Sequence, residues 1–409
     1  MLEKYFSRTI NIDPKCRSVT SMPTTHLSES LKRIESVDAL RGLAALLVVC
    51  NHVRSTYWIG ITATYHRYGM RPDFSALIGY LSAPLGYGSL GVTLFFVLSG
   101  YCIHRRGAQR LAKDSRVAFD YKAFAIRRFW RIYPTYVAAL LFTALVDWWI
   151  LARTGVRDPG QDDSLFAFVT SLLTLQGYFA YYFGSNLVFW TLAMEVHLYL
   201  AYPILFLLSK KFGPGNTLLF TLAVGVAYLA ANALFGIEDH LPYRFQKGPI
   251  FLPYWFTWAL GFYIAEIEAG RAQDFGKNLW RALTIIGFTV GACLTWRGWH
   301  ERAEMFWALF FGGLLYWSLG PQGRRFWGRG FGIGLAFVGV FSYSLYAIHV
   351  PLLEVFHVLI ASSLTYKFST IWPALGAAAC SVIGAWLFFY LVEWWSIRKP
   401  RAAAVQIKQ

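Results

Sequence analysis

Apolar runs long enough to cross a lipid bilayer recur along almost the whole amino-acid sequence. Of its 409 residues, 56% are hydrophobic and only 15% are charged, whereas soluble domains carry about 25% charged residues. A transmembrane helix needs about 20 consecutive, mostly apolar residues. The runs are 37–58, 82–103, 132–151, 187–208, 217–235, 250–269, 281–298, 304–320, 332–353 and 371–395. The sequence therefore predicts an all-α, polytopic helical membrane protein with about ten transmembrane helices.

The basic residues between these runs indicate the orientation of the chain. With the N-terminus inside, 27 of the 38 Lys and Arg residues fall on the cytoplasmic side and 10 on the outer side, as expected when positive charge is retained inside. Both termini are therefore predicted to be cytoplasmic. We expect a loosely ordered tail over 1–36 without a cleavable signal peptide, a membrane-embedded domain over 37–395, and a second tail over 396–409.

Two further features bear on this organisation. Residues 165–183 are also apolar, but a crossing there would move every later basic loop to the other side, so we expect a re-entrant or interfacial segment on the outer side. The net charge of +16 is spread between hydrophobic runs and forms no separate basic domain. This distribution argues against a nucleic-acid partner and favours contact with membrane lipids.

The first apolar run contains an arginine and a histidine, Arg41 and His52. Eleven residues make about three helical turns, so both side chains lie on nearly the same helix face, roughly 16 Å apart. Charged and titratable groups inside a bilayer are costly and usually mark a functional pathway. The alternative is that Arg41 extends to the lipid headgroups and His52 ends the helix.

The most concentrated basic segment runs from residue 104 to 131 and ends with Arg127, Arg128 and Arg131. The planar guanidinium group suits phosphate because it donates two parallel hydrogen bonds. Arg41 is expected within about 6 Å of the same membrane face. Together these arginines predict a cytoplasm-facing site for a phosphate-rich ligand. Plain positive-inside charge and attraction to anionic lipids are the alternative.

Two other runs carry polar side chains at helical spacing. A carboxylate inside a bilayer must be paired, protonated or in contact with water, although an interhelical hydrogen bond would also satisfy it. Counted from the ends of their runs, His52, Glu195 and His349 fall in the outer half of the membrane, and the arginines fall in the inner half. The sequence thus predicts a site with two poles. The polar positions are Thr191, Glu195, Tyr199 and Tyr202 in 187–208, and Ser342, Tyr346 and His349 in 332–353.

Small residues and cysteines complete the pattern. The run 82–103 contains Gly88, Gly91, Ser99 and Gly100, and small residues allow helices in a membrane to approach closely. We therefore predict that this run is a scaffold or lines a substrate groove. The five cysteines are scattered and none has the spacing of a metal ligand, so we predict neither a disulfide framework nor a metal site.

Six segments, in order and between residues 38 and 393, resemble the membrane-bound acyltransferase family 3, the integral membrane carbohydrate O-acyltransferases. The chain departs from common family forms at Thr93, which is often Asp, and at Val196 and His197, which are often Glu and Gln. The matching segments are Arg41 with His52, Gly91–Gly100, Arg127–Pro134, Trp190–Glu195 with Tyr199 and Pro203, Ser342–His349, and Leu391–Glu393.

The resemblance implies an acyl-CoA donor, usually acetyl-CoA, that enters from the cytoplasm. It also implies an acceptor hydroxyl on a carbohydrate or glycolipid near the outer face of a bacterial inner membrane. Arg41, Arg127, Arg128 and Arg131 would bind the CoA phosphates. No metal is implied.

On this basis we expect His52 to act as general base on the acceptor hydroxyl, since histidine titrates near ambient pH. Glu195 would orient the imidazole or bind the sugar together with Tyr199, and His349 and Tyr346 would stabilise the oxyanion. An acyl-His52 intermediate is an alternative. A different class, a proton-coupled secondary transporter, would use Glu195 and the histidines as a proton relay, but the chain shows no obvious inverted repeat.

Overall fold

The computed structural model describes residues 24–58, 60–69, 74–156, 161–237, 251–361 and 366–398. Within these ranges the chain forms helices and no strand. Eight helices are long and apolar enough to cross a membrane, which confirms the prediction of a polytopic helical membrane protein. The helices are α1 (Thr24–Tyr57), α2 (Ile61–Tyr68), α3 (Phe74–Leu81), α4 (Leu90–Lys113), α5 (Tyr121–Thr154), α6 (Leu165–Leu172), α7 (Phe189–Phe212), α8 (Pro214–Phe235), α9 (Leu252–Glu268), α10 (Gly276–Trp296), α11 (His300–Leu319), α12 (Pro321–Trp327), α13 (Phe331–Val340), α14 (Ser342–Ala361), α15 (Trp372–Phe388) and α16 (Trp394–Ser396).

Eight of the ten predicted runs correspond to these long apolar helices. The other two, 250–269 and 304–320, are α9 and α11, of 17 and 20 residues. Almost every residue of α9 is buried, and it packs closely against α4. Its 17 residues span about 25 Å, close to the roughly 30 Å of hydrocarbon in a bilayer. The helix therefore forms the centre of the bundle.

The run 332–353 is not the one continuous helix that was expected, and the membrane-long helix lies further along the chain, at Ser342–Ala361. The chain there forms α13 and α14, which run in opposite directions. Gly42 packs on the backbone of Leu335, and Gly339 packs on the backbone of Asp38, so α13 is antiparallel to α1. After the reversal, α14 runs beside α1 in the same direction. Hydrophobicity is continuous through the reversal, which is why the apolar pattern does not reveal it.

The first helix begins at Thr24, earlier than the predicted start at residue 37. Residues 24–36 include Leu, Glu, Lys and Arg, which favour helix, so the membrane helix extends back into the expected tail. The rest of that tail, 1–23, and most of the C-terminal tail, 399–409, lie outside the described residues. The apolar segment 165–183 forms the eight-residue α6 followed by turns. At about 12 Å, α6 is too short to cross.

Capping residues and glycines set the limits of the helices that hold the cavity described below. The carboxylate of Asp120 accepts a hydrogen bond from the backbone N–H of Ala123 and begins α5. Gly155 ends the same helix with a φ of 67°, which glycine adopts without steric cost. Pro351 interrupts the hydrogen bonding of α14, and the side chain of Asn186 donates to the freed carbonyl of Ala347 at 2.8 Å.

The small residues predicted to allow close helix approach do so. A Cβ atom on Gly91 would lie 2.4 Å from the carbonyl oxygen of Ala44, on α1. A Cβ atom on Gly100 would lie 1.9 Å from the carbonyl oxygen of Trp258, on α9. The α4 backbone thus touches α1 on one side and α9 on the other, which is the close packing that small residues permit in a membrane.

Candidate active site

A cavity of about 110 Å³ lies among α1, α4, α5, α7 and α14. Six of the nine site residues predicted from the sequence line it. Of the other three, Arg127 is exposed and lies outside the lining, and His52 and His349 form a pair beside Tyr346. The six that line the cavity are Arg41, Arg128, Arg131, Glu195, Tyr199 and Tyr346.

Two of the cavity arginines have carboxylate partners. Arg41 donates to Asp38, one helical turn earlier in α1, at 3.1 Å. Arg131 donates to the buried carboxylate of Glu393 at 2.5 Å, and Glu393 also accepts hydrogen bonds from the backbone and hydroxyl groups of Ser344. These contacts fix both guanidinium groups at the cavity wall. They also leave each with little net charge for a ligand.

Arg128 differs from these two because it forms no ion pair with any described residue. Its guanidinium lies over the rings of Phe124 and Tyr199, 5.7 and 5.9 Å from their centroids. Its Nε atom is buried and has no hydrogen-bond partner within the described ranges. A buried donor without a partner is costly, and an anionic ligand in the cavity would supply the missing acceptor.

Glu195 lines the same cavity and is held there by neutral donors. Tyr199, one turn along α7, donates its hydroxyl to the carboxylate, and Ser99 donates from α4 at 3.3 Å. Trp258 in turn donates its indole N–H to Ser99 at 3.2 Å. Glu195 therefore belongs to the cavity wall and does not contact His52, so the structure gives it no part in orienting that imidazole.

Tyr346 connects the cavity with the histidine pair. Its hydroxyl lies 2.6 Å from that of Thr191. Because Thr191 already donates to the carbonyl of Val188 at 2.8 Å, Tyr346 must be the donor in this contact. Its proton is therefore engaged, and serving an oxyanion, as expected from the sequence, would require the hydroxyl to rotate. The Tyr346 and His349 rings are 5.9 Å apart, one turn from each other on α14.

The histidine pair joins α1 to α14. His52 Nδ1 lies 2.7 Å from His349 Nε2, and the rings are nearly parallel. His349 is fully buried, and its Nδ1 lies 2.9 Å from the carbonyl oxygen of Tyr346 and 3.1 Å from that of Leu345. Carbonyl oxygens only accept, so Nδ1 of His349 carries the proton.

The proton on Nδ1 of His349 determines which of the other ring nitrogens donate and which accept. No carboxylate contacts either ring in the part of the chain that the structure describes, so a buried charge would be costly and both rings are neutral. Nε2 of His349 is then an acceptor, and Nδ1 of His52 must be the donor. This leaves Nε2 of His52 unprotonated, with no hydrogen bond from any described residue. The pair presents one imidazole nitrogen that can take up a proton.

Sequence reasoning missed two acidic residues that organise this site. Asp38 stands three positions before Arg41, a spacing that places both on one helix face, so the pattern did contain that signal. Glu393 lies in a π-helical turn after α15, 262 positions from its partner Arg131. No local pattern relates two such distant residues, although the resemblance included both segments.

The two departures from the family pattern have structural partners. Thr93 donates its hydroxyl to the buried carboxylate of Glu304 at 3.0 Å, and an aspartate in its place would bring two carboxylates together. His197 lies 2.9 Å from the carbonyl oxygen of Thr174, a residue with a φ of 57° in the turns after α6. Both residues therefore join neighbouring elements of the bundle.

No group of three or more His, Cys, Asp and Glu side chains suited to a metal occurs among the residues that the structure describes. The chemistry that the site offers consists of a cation in the cavity, Arg128, without an ion-pair partner among the described residues, and a proton acceptor, His52, in the histidine pair beside Tyr346. Apolar, aromatic and hydroxyl side chains form the rest of the cavity wall, and one of them, Tyr346, contacts the ring of His349.

Comparison with known proteins gives a family match over most of the chain. The acyltransferase family 3 model, described as an acyltransferase domain, matches residues 34–390. A peptidoglycan O-acetyltransferase, OatA of Listeria monocytogenes, is 25% identical over 209 residues, which are 49% of this chain and 29% of that protein. The alignment thus spans less than a third of the relative's length. No solved structure matches this chain.

Proposed function

Because this chain belongs to the acyltransferase family 3, we propose that it is an integral membrane O-acyltransferase that moves an acyl group, most simply acetyl, from cytoplasmic acyl-CoA to a carbohydrate hydroxyl. The observation that supports this most is the proton order in the histidine pair. It leaves His52 Nε2 free to accept a proton, and Tyr346 connects the histidine pair to a cavity lined by arginines.

The donor would enter at the end of the bundle that the distribution of Lys and Arg assigns to the cytoplasm. Sites for drug-sized ligands are about 300–1,000 Å³, so a cavity of about 110 Å³ holds only a narrow part of acetyl-CoA. In our proposal the pantetheine arm and thioester occupy the cavity and the nucleotide stays at its mouth. Arg128 would bind a donor phosphate there, with exposed Arg106, Arg110 and Arg127 adding positive charge nearby.

The transfer step would follow from the two neutral imidazoles. His52 Nε2 removes the proton of the acceptor hydroxyl as its oxygen attacks the thioester carbonyl. The bond between the carbonyl carbon and sulfur breaks, and the CoA thiolate leaves as a thiol by taking the proton from Nε2 of the His52 imidazolium, which returns His52 to its neutral form. The imidazolium formed on His52 keeps its Nδ1 hydrogen bond to His349, which holds the ring in place. His349 is then a positioning residue, and Glu195 with Tyr199 shapes the wall that contacts the substrates.

The acceptor is proposed from the family and from the relative. The relative's name concerns peptidoglycan, and the family resemblance includes envelope and secreted carbohydrates, so a glycan or glycolipid at the outer face of a bacterial inner membrane is the acceptor that we propose. Exopolysaccharide and lipopolysaccharide fall in this class.

The test is the acyl-ester content of envelope glycans, measured by mass spectrometry and NMR. Cells would produce the wild type, His52→Ala or the control His66→Ala at matched membrane levels; His66 is an exposed histidine on α2. We expect an acetyl gain with the wild type and the control, and none with His52→Ala. Equal acetylation with His52→Ala would contradict the assignment of the base. No acetyl gain with the wild type on any glycan would contradict the proposed acceptor class.

A further inference from the structure

A second and larger cavity, a groove of about 770 Å³, opens between α9, α10 and α11, away from the candidate active site. Its walls are mainly aliphatic and aromatic, and its end lies beside the start of α12. Residues that form the apolar walls are Ile267, Ile285, Phe310, Leu314, Trp317 and Leu319. Apolar walls of this kind suit lipid acyl chains, and none of the proposed chemistry uses the groove.

Two cations stand at the mouth of this groove. Lys277 and Arg281 are one turn apart in the first half of α10, and both are exposed and line the groove. Neither forms an ion pair or side-chain hydrogen bond with any residue that the structure describes. The Lys and Arg distribution places this end of α10 on the cytoplasmic side, where the surface of the membrane is negatively charged.

The acidic residues nearby do not neutralise these cations. Glu268 also lines the groove, but both of its oxygens accept hydrogen bonds from Arg105, and Tyr101 donates to it as well. Asp274 accepts from the hydroxyl of Tyr316 and from a backbone N–H. Asp274 thus supplies one negative charge near two cations, Lys277 and Arg281, so the mouth of the groove keeps a net positive charge.

The base of the groove adds a polar group without a partner. Trp280 is 4% exposed, lines the groove and stacks on Tyr316 at 4.8 Å. Its indole N–H is buried and has no hydrogen-bond acceptor within the described residues. A buried indole N–H normally has one, and an ester carbonyl of a bound lipid can supply it.

We propose that this groove binds an anionic phospholipid of the cytoplasmic leaflet. The acyl chains occupy the apolar walls, the phosphate meets Lys277 and Arg281, and an ester oxygen accepts from Trp280. Charge complementarity distinguishes this occupant from a zwitterionic lipid. The proposal concerns a groove that shares no lining residue with the candidate active site and does not depend on the proposed acyl transfer.

The test uses the full-length chain, purified in mild detergent and depleted of lipid. Native mass spectrometry would measure the first binding event of a phosphatidylglycerol and of a phosphatidylcholine with the same acyl chains. Because each cation near a charged lipid surface contributes about fivefold in affinity, we expect the wild type to prefer the anionic lipid roughly 30-fold. Equal affinity for the two lipids would overturn the proposal.

Two variants and a control locate the binding. Lys277→Gln with Arg281→Gln should lose the preference, whereas Lys211→Gln with Arg398→Gln, which removes two cytoplasmic-side cations outside the groove, should keep it. Ile285→Trp fills the groove without a change of charge and should weaken binding of both lipids. Wild-type affinity in Ile285→Trp, or an equal loss of preference in the control, would overturn the proposal.

Discussion

Single side chains determine how the proposed reaction divides between the two histidines. Nδ1 of His349 is committed to backbone carbonyls, so its Nε2 can only accept, and this holds the donor side of His52 towards the bundle. A serine-protease triad uses a carboxylate for the same orienting role. A neutral imidazole stabilises the charged ring less, but it avoids burying a carboxylate in the membrane.

A substitution of His349 tests this division of roles. His349→Ala should lower kcat by between about tenfold and 1,000-fold, less than the loss for His52→Ala, while KM for acetyl-CoA stays nearly constant. His349→Gln should recover part of the rate, because its amide oxygen can accept from Nδ1 of His52. The measurement is the initial rate of acetyl transfer against donor concentration. If the glutamine variant is no better than the alanine variant, while both fold normally, the positioning role is contradicted.

Substitutions of two arginines test the proposed binding site for the acyl-CoA donor. Arg128→Gln should raise KM for acetyl-CoA about 10- to 100-fold, the value of a hydrogen bond to a charged group, with a smaller effect on kcat. Arg127→Gln is the matched control, because Arg127 is the neighbouring arginine and lies outside the cavity lining. An unchanged KM in Arg128→Gln, or an equal rise in the control, would remove Arg128 from the donor site.

The helices show which parts of the fold can be predicted from sequence patterns and which cannot. Length and hydropathy located nearly every long helix, because a bilayer demands about 20 apolar residues at each crossing. The reversal of chain direction between α13 and α14 was not predicted, because the residues on both sides of it are equally apolar. The extension of α1 back to Thr24 was not predicted either, because polar residues that favour helix do not differ in hydropathy from a polar tail.

Helix contacts give a prediction at this scale. A Cβ atom on Gly100 would meet the backbone oxygen of Trp258 at 1.9 Å, so Gly100→Ala must push α4 and α9 apart and should lower the Tm and the activity together. Gly334→Ala is the control, because a Cβ atom there meets nothing within 4 Å in α13. Thermal unfolding in detergent, followed by tryptophan fluorescence, compares the two. A Tm in Gly100→Ala equal to that of the control would argue against this contact.

The folded molecule brings together segments for which the sequence predicts only a depth in the membrane. The sequence assigned arginines to the inner half and His52, Glu195 and His349 to the outer half, and the structure places most of them around one cavity. The partners of these residues could not be predicted, because pairs such as Arg131 with Glu393 or His52 with His349 join residues 262 and 297 positions apart. Such pairings depend on helix packing, which the pattern of one chain does not encode.

Topology is the prediction at this scale. Asn216 lies in the first turn of α8 and is exposed, and it is cytoplasmic only if residues 165–183 do not cross the membrane. In a variant without native cysteines, Asn216→Cys should resist a membrane-impermeant maleimide applied from outside, while Thr62→Cys, on α2, should react. Labelling of Asn216→Cys in sealed cells would show that the segment crosses.

Acetyl transfer across the membrane is the most direct test of the central claim. Inverted membrane vesicles containing the wild type would receive labelled acetyl-CoA on their exposed cytoplasmic face. We predict that label accumulates on carbohydrate or glycolipid inside the vesicles, and that His52→Ala lowers the rate at least about 100-fold while His66→Ala does not. Transfer that persists in His52→Ala, or label that never reaches an acceptor in the wild type, would contradict it.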